Sequence, residues 1–291
     1  MSSPSTSATS TTAVATPVEH AASDVVVDAG IGAVAGMAEV TVNQPLIYFK
    51  NSIQTGAKIA SNPAVWYRGY LTNVGTLAPI TAIQVSATTI LSNVLFGKAP
   101  SQANDAEKSI SAVGAGALSG LISGPSESII LHQQRTGEGT FAALKSIRSD
   151  AGWKGVFRGT SYAMFRDGLF TAGFMAGAPM LVKRLRDDYN LSEPTARLAG
   201  GCAAGALAAV LTHPADTIKT RLQRDYMGEK YKSFTAPYAE GGLLKGLAAR
   251  GTRVIVGVCV IGNVTEFLQN KWAAYSKSST DKPVATKSQQ Q

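Results

Sequence analysis

His213-Pro214-Ala215-Asp216-Thr217-Ile218-Lys219-Thr220-Arg221-Leu222-Gln223 closes an apolar run, Leu198 to Ala215, that contains no Asp, Glu, Lys or Arg. A proline in a helical pattern lacks a backbone donor and its ring clashes with the preceding turn, so a kink is expected at Pro214. Beyond it stand Asp216, Lys219, Arg221 and Gln223, at two, five, seven and nine residues from the proline. Inside a membrane such groups face a bundle interior and pair with one another. The spacing reads as a latch rather than as a solvated face.

The stretch has two phased counterparts. Gly36, Gly116 and Gly205 precede Pro45, Pro125 and Pro214 by nine residues each, and Gly32, Ala112 and Gly201 stand four residues earlier. Small residues four apart let helix backbones approach closely in a membrane. A second marker recurs independently: Tyr67-Arg68-Gly69, Phe157-Arg158-Gly159 and Leu244-Lys245-Gly246, each before another apolar stretch. Fixed periods of this kind signal an internal repeat. Each unit is a helix with a proline kink, a polar loop, the base-Gly element and a second helix. Three units give an all-α membrane protein with six transmembrane helices and pseudo-threefold symmetry.

Composition agrees. Of 291 residues only 16% are charged, against roughly 25% in ordinary soluble chains. Gly69–Gly97 runs for 29 residues without a charge, where about 20 suffice for a helical span. Ser109–Ser126 and Leu198–Ala215 have 18 uncharged residues each, and Gly168–Val182 and the region after Arg253 are weaker. Spans this modest suit a bundle around a polar interior. Cys202 and Cys259 lack ligand or framework spacing and read as small buried side chains, with no metal site. The net charge of +8 is scattered through loops without an aromatic-rich basic stripe, so nucleic acid is not an expected partner. The first Lys or Arg is Lys50, which argues against a cleaved N-terminal address. No nucleophile–base constellation or phosphate-cradling loop occurs; no enzyme activity and no cofactor are expected.

These residues resemble the mitochondrial carrier family from about Asp24 to Tyr275. That family's odd helices carry Pro-x-acid-x-x-base-x-base with glutamine at plus nine, and its later half carries acid-Gly, four residues, then aromatic-base-Gly. The third repeat matches the first half fully. The first reads Pro45, Ile47, Lys50, Ser52, Gln54, and the second Pro125, Glu127, Ile130, His132, Gln134. The resemblance implies repeats over 23–100, 101–190 and 191–275, with disordered tails at 1–22 and 276–291. It implies a matrix-side gate in which Glu127 faces Lys219, Asp216 faces Lys50, and Ile47 faces Ile130. Both losses then fall on one pair. Losing one partner leaves a buried charge costing about 3–5 kcal/mol, whereas replacing both by apolar groups is often neutral. Gln54, Gln134 and Gln223 would brace the gate, and Asp216 and Lys219 would each close on a different neighbour rather than on each other.

The acid-Gly element is poor: Ser61-Asn62 and Ala151-Gly152 hold its places, and Glu240-Gly241 is two residues out of phase. The opposite, cytoplasmic gate is reduced to Thr88-Thr89-x-x-Ser92, nothing charged around Pro179, and Thr265 with the remnant Glu266 and Gln269. A bias toward a closed matrix gate follows, because populations track the free-energy difference between gates.

By the same resemblance, solute binds on the even helices seven residues after the base-Gly glycine, which gives Thr76, Arg166 and Arg253, with Asp167 and Gln84 beside them. Guanidinium groups offer planar, bidentate sites for carboxylate. An Arg-Asp pair resembles carriers of amino acids and related zwitterions. Glu39 either lines the cavity or pairs between helices, and His213 reads as a packed polar group rather than a proton relay. The expectation is an inner-membrane, multi-pass antiporter or other solute carrier, a monomer whose partners are a small-molecule solute and membrane lipid, cardiolipin included. The rival is a carrier-derived structural subunit that keeps the fold without cycling.

Overall fold

A computed structural model describes residues 17–280, and no strand occurs among them. Its elements are α1 (Pro17–Thr55), α2 (Pro63–Trp66), α3 (Tyr70–Phe96), α4 (Asp105–Thr136), α5 (Thr140–Val156), α6 (Thr160–Ala172), a π-helical turn (Gly173–Gly177), α7 (Ala178–Tyr189), α8 (Glu193–Arg224), α9 (Ala236–Ala239) and α10 (Leu247–Thr280). Both expected tails are shorter where they can be described. Helix α1 already begins at Pro17, a residue suited to a first helical turn, and α10 runs on to Thr280. The rest of those tails, 1–16 and 281–291, lies outside the described residues.

Three segments are long and apolar enough to cross a membrane: Pro63–Phe96, Glu193–Arg224 and Leu247–Tyr275. Helix α4 falls short of that measure because Ser and Gly fill places that Leu, Ile and Val hold in α3. The interior is the inverse of a soluble core. Lys219 is 1% exposed and Asn43, Gln44, Thr212 and His213 are wholly covered, whereas Leu71 is 78% and Val94 74% exposed. Large apolar side chains facing out over a polar centre are what a lipid surround requires.

Close approach of helices rests on the small residues. A Cβ added to Gly36 would strike Leu77 of α3, one on Gly205 would strike Val254 of α10, and one on Gly116 would meet the Asp167 backbone of α6. The same stripe position thus packs against the following long helix three times. The base-Gly glycines also behave alike. Gly69, Gly159 and Gly246 have φ of 85°, 77° and 84°, a left-handed conformation that costs glycine nothing, and each turns the chain into its next helix. They rest against Ile130, Lys219 and Lys50 respectively, the plus-five position of another proline helix in each case. Pro45, Pro125 and Pro214 lie inside α1, α4 and α8, each of which continues through its proline as one helix.

Helix α4 starts with a reciprocal cap. The Asn104 side chain accepts from Glu107 N, and Glu107 accepts from Asn104 N, both at 2.8 Å. In the poor acid-Gly places, Asn62 caps α2 by accepting from Ala64 N, and Gly152 breaks α5 at φ 65°. Gly241 and Gly242, both left-handed, make the shorter turn before α10.

Candidate functional site

The proline helices bring one cluster of charges together. Lys50 Nζ of α1 donates to Asp216 Oδ2 of α8 at 2.9 Å, and Gln54 Nε2 donates to the same oxygen at 3.0 Å. Lys219 Nζ donates to Glu127 of α4 in a close ion pair. Ile47 and Ile130 line one small cavity of about 40 Å³ with Lys50, Glu127, Lys219 and Arg253.

Three expectations need correction. First, Lys219 Nζ also lies 3.5 Å from Asp216 Oδ1. Positions three apart share a helix face, so the two do approach each other. Second, of the three glutamines only Gln54 touches an ion pair. Gln134 Oε1 accepts from Asn51, and Gln223 Nε2 donates to Gly124 O, because their neighbours offer nearer backbone and amide partners. Third, Cys202 and Cys259 are half-buried rather than buried, since α8 and α10 meet there beside the outer surface.

Arg166 departs most from its expected place. Its Nη1 donates to Glu127 Oε1 and Oε2 at 2.9 and 3.1 Å and to Asp216 Oδ1 at 2.9 Å. Its Nε donates to Asp167 Oδ1 at 2.7 Å. The guanidinium fork therefore lies among the carboxylates of this cluster rather than in the open position expected of a solute contact. Asp167 is further held by a close hydrogen bond from Ser123. Thr76 is turned onto its own helix, donating to Thr72 O and Asn73 O. Gln84 donates to Ser119 and Thr171 at 3.2 Å each, tying α3 to α4 and α6. Arg253 is half-buried, faces the small cavity and has no ion pair among the described residues.

Arg250 is a member of the cluster that sequence reasoning missed. It is buried, donates to Thr212 Oγ1 at 2.6 Å, and its Nη1 lies 3.7 Å from Asp216 Oδ2. Asp216 thus faces Lys50, Arg166, Lys219 and Arg250. The available signal was a second arginine in the last span, one turn from Arg253. Glu39 accepts from Asn43 at 2.7 Å and sits against Gly257 of α10, a role between helices. His213 Nε2 is packed on Lys245 O at 3.0 Å.

Arg221, the last base of the complete signature, donates to Pro237 O and Gly241 O at 2.9 and 2.8 Å and fastens the loop ahead of α10. In that loop the Tyr231 hydroxyl donates to Glu240 and holds its carboxyl below the usual range, while burial raises the Tyr231 phenol. At the opposite end Glu266 and Gln269 are exposed, Ser92 donates to Lys98 O, and Thr88 touches Met175 Sδ at 3.6 Å. An open cavity of about 820 Å³ lies there between α3, α4 and α7. No His, Cys, Asp and Glu group among the described residues is arranged to hold a metal.

Comparison with known proteins shows what the chain is similar to. Residues 191–273 match the family model described as Mitochondrial carrier protein. A "Solute carrier protein" of Fusarium pseudograminearum is 28% identical over 127 residues, 40% of this chain and 43% of its own. The human "Electrogenic aspartate/glutamate antiporter SLC25A13, mitochondrial" is 27% identical over 219 residues, 67% of this chain and 32% of its own. "S-adenosylmethionine carrier 1, chloroplastic/mitochondrial" of Arabidopsis thaliana is 28% identical over 258 residues, 81% of this chain and 75% of its own. The chain therefore spans less than half the length of the first two. The third repeat thus matches the mitochondrial carrier family model, and the longer alignments show the rest of the chain to be similar to carriers of that family.

Proposed function

We propose that this protein is a solute carrier of the mitochondrial inner membrane that moves a small carboxylate-bearing metabolite, an amino acid or related zwitterion, by alternating access. Six spanning helices in three repeats are α1, α3, α4, α6 with the π turn and α7, α8, and α10. The threefold recurrence of the Gly36, Gly116 and Gly205 contacts, and of the left-handed Gly69, Gly159 and Gly246, supports that arrangement. Lys50, Glu127, Asp216 and Lys219 form the matrix gate, with Ile47 against Ile130 as its apolar third contact.

The observation that carries the reading is Arg253. A guanidinium inside a span, with no acid paired to it among the described residues, needs an anion. A solute carboxylate supplies one, and Asp167, held by Arg166 and Ser123 in this state, is the acid that would take the cationic end of a zwitterion once those bonds open. The relatives agree in chemistry: one is named for aspartate and glutamate, another for a methionine derivative.

Uptake of labelled aspartate, glutamate and S-adenosylmethionine into proteoliposomes is the test, with Arg253→Ala as control. Uptake should vanish in the variant while unfolding shifts by no more than about 0.5 kcal/mol, as for a substitution that breaks no pair. The weak end at Thr88, Ser92, Glu266 and Gln269 favours a second reading, a carrier-derived structural subunit. Absence of uptake for every solute, together with stable copurifying partners, would establish that reading and end the first.

A further inference from the structure

We infer that Arg166 is a further link of the gate, a latch supplied by α6 that ties the acids of α4 and α8 together while the α1–α4 contact is left to Ile47 and Ile130. This rests on reading the Lys50–Glu127–Asp216–Lys219 cluster as a gate. With those four alone, Glu127 closes on Lys219 and Asp216 on Lys50, and nothing charged spans the remaining contact between α1 and α4. Ile47 and Ile130 fill that place with side chains that attract no acid.

Arg166 reaches the two acids from another helix. Nη1 bridges Glu127 and Asp216, at 2.9 Å to one oxygen of each, so a single planar group ties α4 to α8. Its other edge is clamped by Asp167, which Ser123 of α4 holds in turn. A planar fork presents donors on two edges in a fixed geometry, whereas an ammonium is a compact point charge without those edges. Arg166 is buried, and its bonds to Glu127 and Asp216 must break before those helices part. It is a positioning residue for the gate acids, whatever further contact it makes when the gate is open.

Leu131 provides the reporter, because it lines the 40 Å³ cavity, which is too small to admit a maleimide while the gate is closed. Leu131→Cys would be placed in a Cys202→Ser, Cys259→Ser background and its maleimide labelling rate followed in detergent, with no solute added. Arg166→Gln should raise the rate by about tenfold or more, since a buried network missing one partner opens readily. Arg166→Lys keeps the charge without the fork and should fall between parent and Arg166→Gln. If Arg166→Gln fails to fold, Arg166→Lys decides alone: a raised rate supports the latch, and the parental rate overturns it. Equal rates in all three proteins would mean that Arg166 is a solute contact only. Labelling requires neither vesicles nor solute, so failed uptake would remove the transport reading without touching this result.

Discussion

The two ends of the molecule are built differently. At the proline end, Asp216 faces four bases, and buried side chains of α1, α4 and α8 bond from helix to helix. At the opposite end the links are hydrogen bonds from Gln84, a Thr88–Met175 contact and the more exposed pairs Lys98–Glu107 and Arg186–Glu193, the remnant acid Glu266 is exposed, and a cavity of about 820 Å³ opens between α3, α4 and α7. A cycling carrier needs two gates of comparable strength. Here one end holds the buried charge network while the pairs of the other are more exposed, so the cost of opening the first must come from whatever binds between the ends.

The sharpest way to break this asymmetry is Asp216→Ala. It would strand Lys50, Arg166, Lys219 and Arg250 around one missing acid, at a cost of about 3–5 kcal/mol or more. Thermal unfolding of the purified protein should fall steeply and gate labelling should rise. A variant with parental unfolding would show that the cluster is not what holds this end.

A smaller effect tests packing rather than charge. A Cβ on Gly120 would lie 2.5 Å from Met164 Cα, so Gly120→Val must push α4 from α6. Overpacking of this kind costs typically about 1–3 kcal/mol. Because Arg166 sits on α6, the same displacement should also speed Leu131→Cys labelling. Unfolding that drops without any change in labelling would separate helix packing from the gate.

The smallest effect belongs to the other end. Glu266→Gln removes an exposed carboxylate with no ion pair among the described residues and should move unfolding by less than about 0.5 kcal/mol. Circular dichroism melts of parent and variant would check it. A loss as large as that of Asp216→Ala would mean that the two ends are alike after all.

Much of this was legible before any coordinates. The prolines, the stripes ending at Gly36, Gly116 and Gly205, and the base-Gly glycines are periodic, and periodicity survives divergence because each repeat needs the same backbone geometry. The pairing of Lys50 with Asp216 and of Lys219 with Glu127 followed from matching positions. Gln134 and Gln223 did not follow, because an amide takes the nearest carbonyl or amide and no spacing names it. Arg166 was visible as an intramembrane arginine, but its reach was not. A long side chain on one helix is free to serve a site a turn away on another, and only the helix approach set by Gly116, Gly120 and Gly124 decides which.

By itself, then, the sequence determined the phased recurrence of prolines, small-residue stripes and base-Gly glycines and the poverty of the other end in charge, all matters of residue type at fixed spacing, while the pairs of the proline end were implied by the family resemblance. Only the tertiary structure decided that Arg166 and Arg250 join Asp216 while Arg253 makes no ion pair among the described residues. Those three arginines differ in what lies within about 4 Å of a guanidinium, and charge interactions at that range depend on distance and burial rather than on position along the chain.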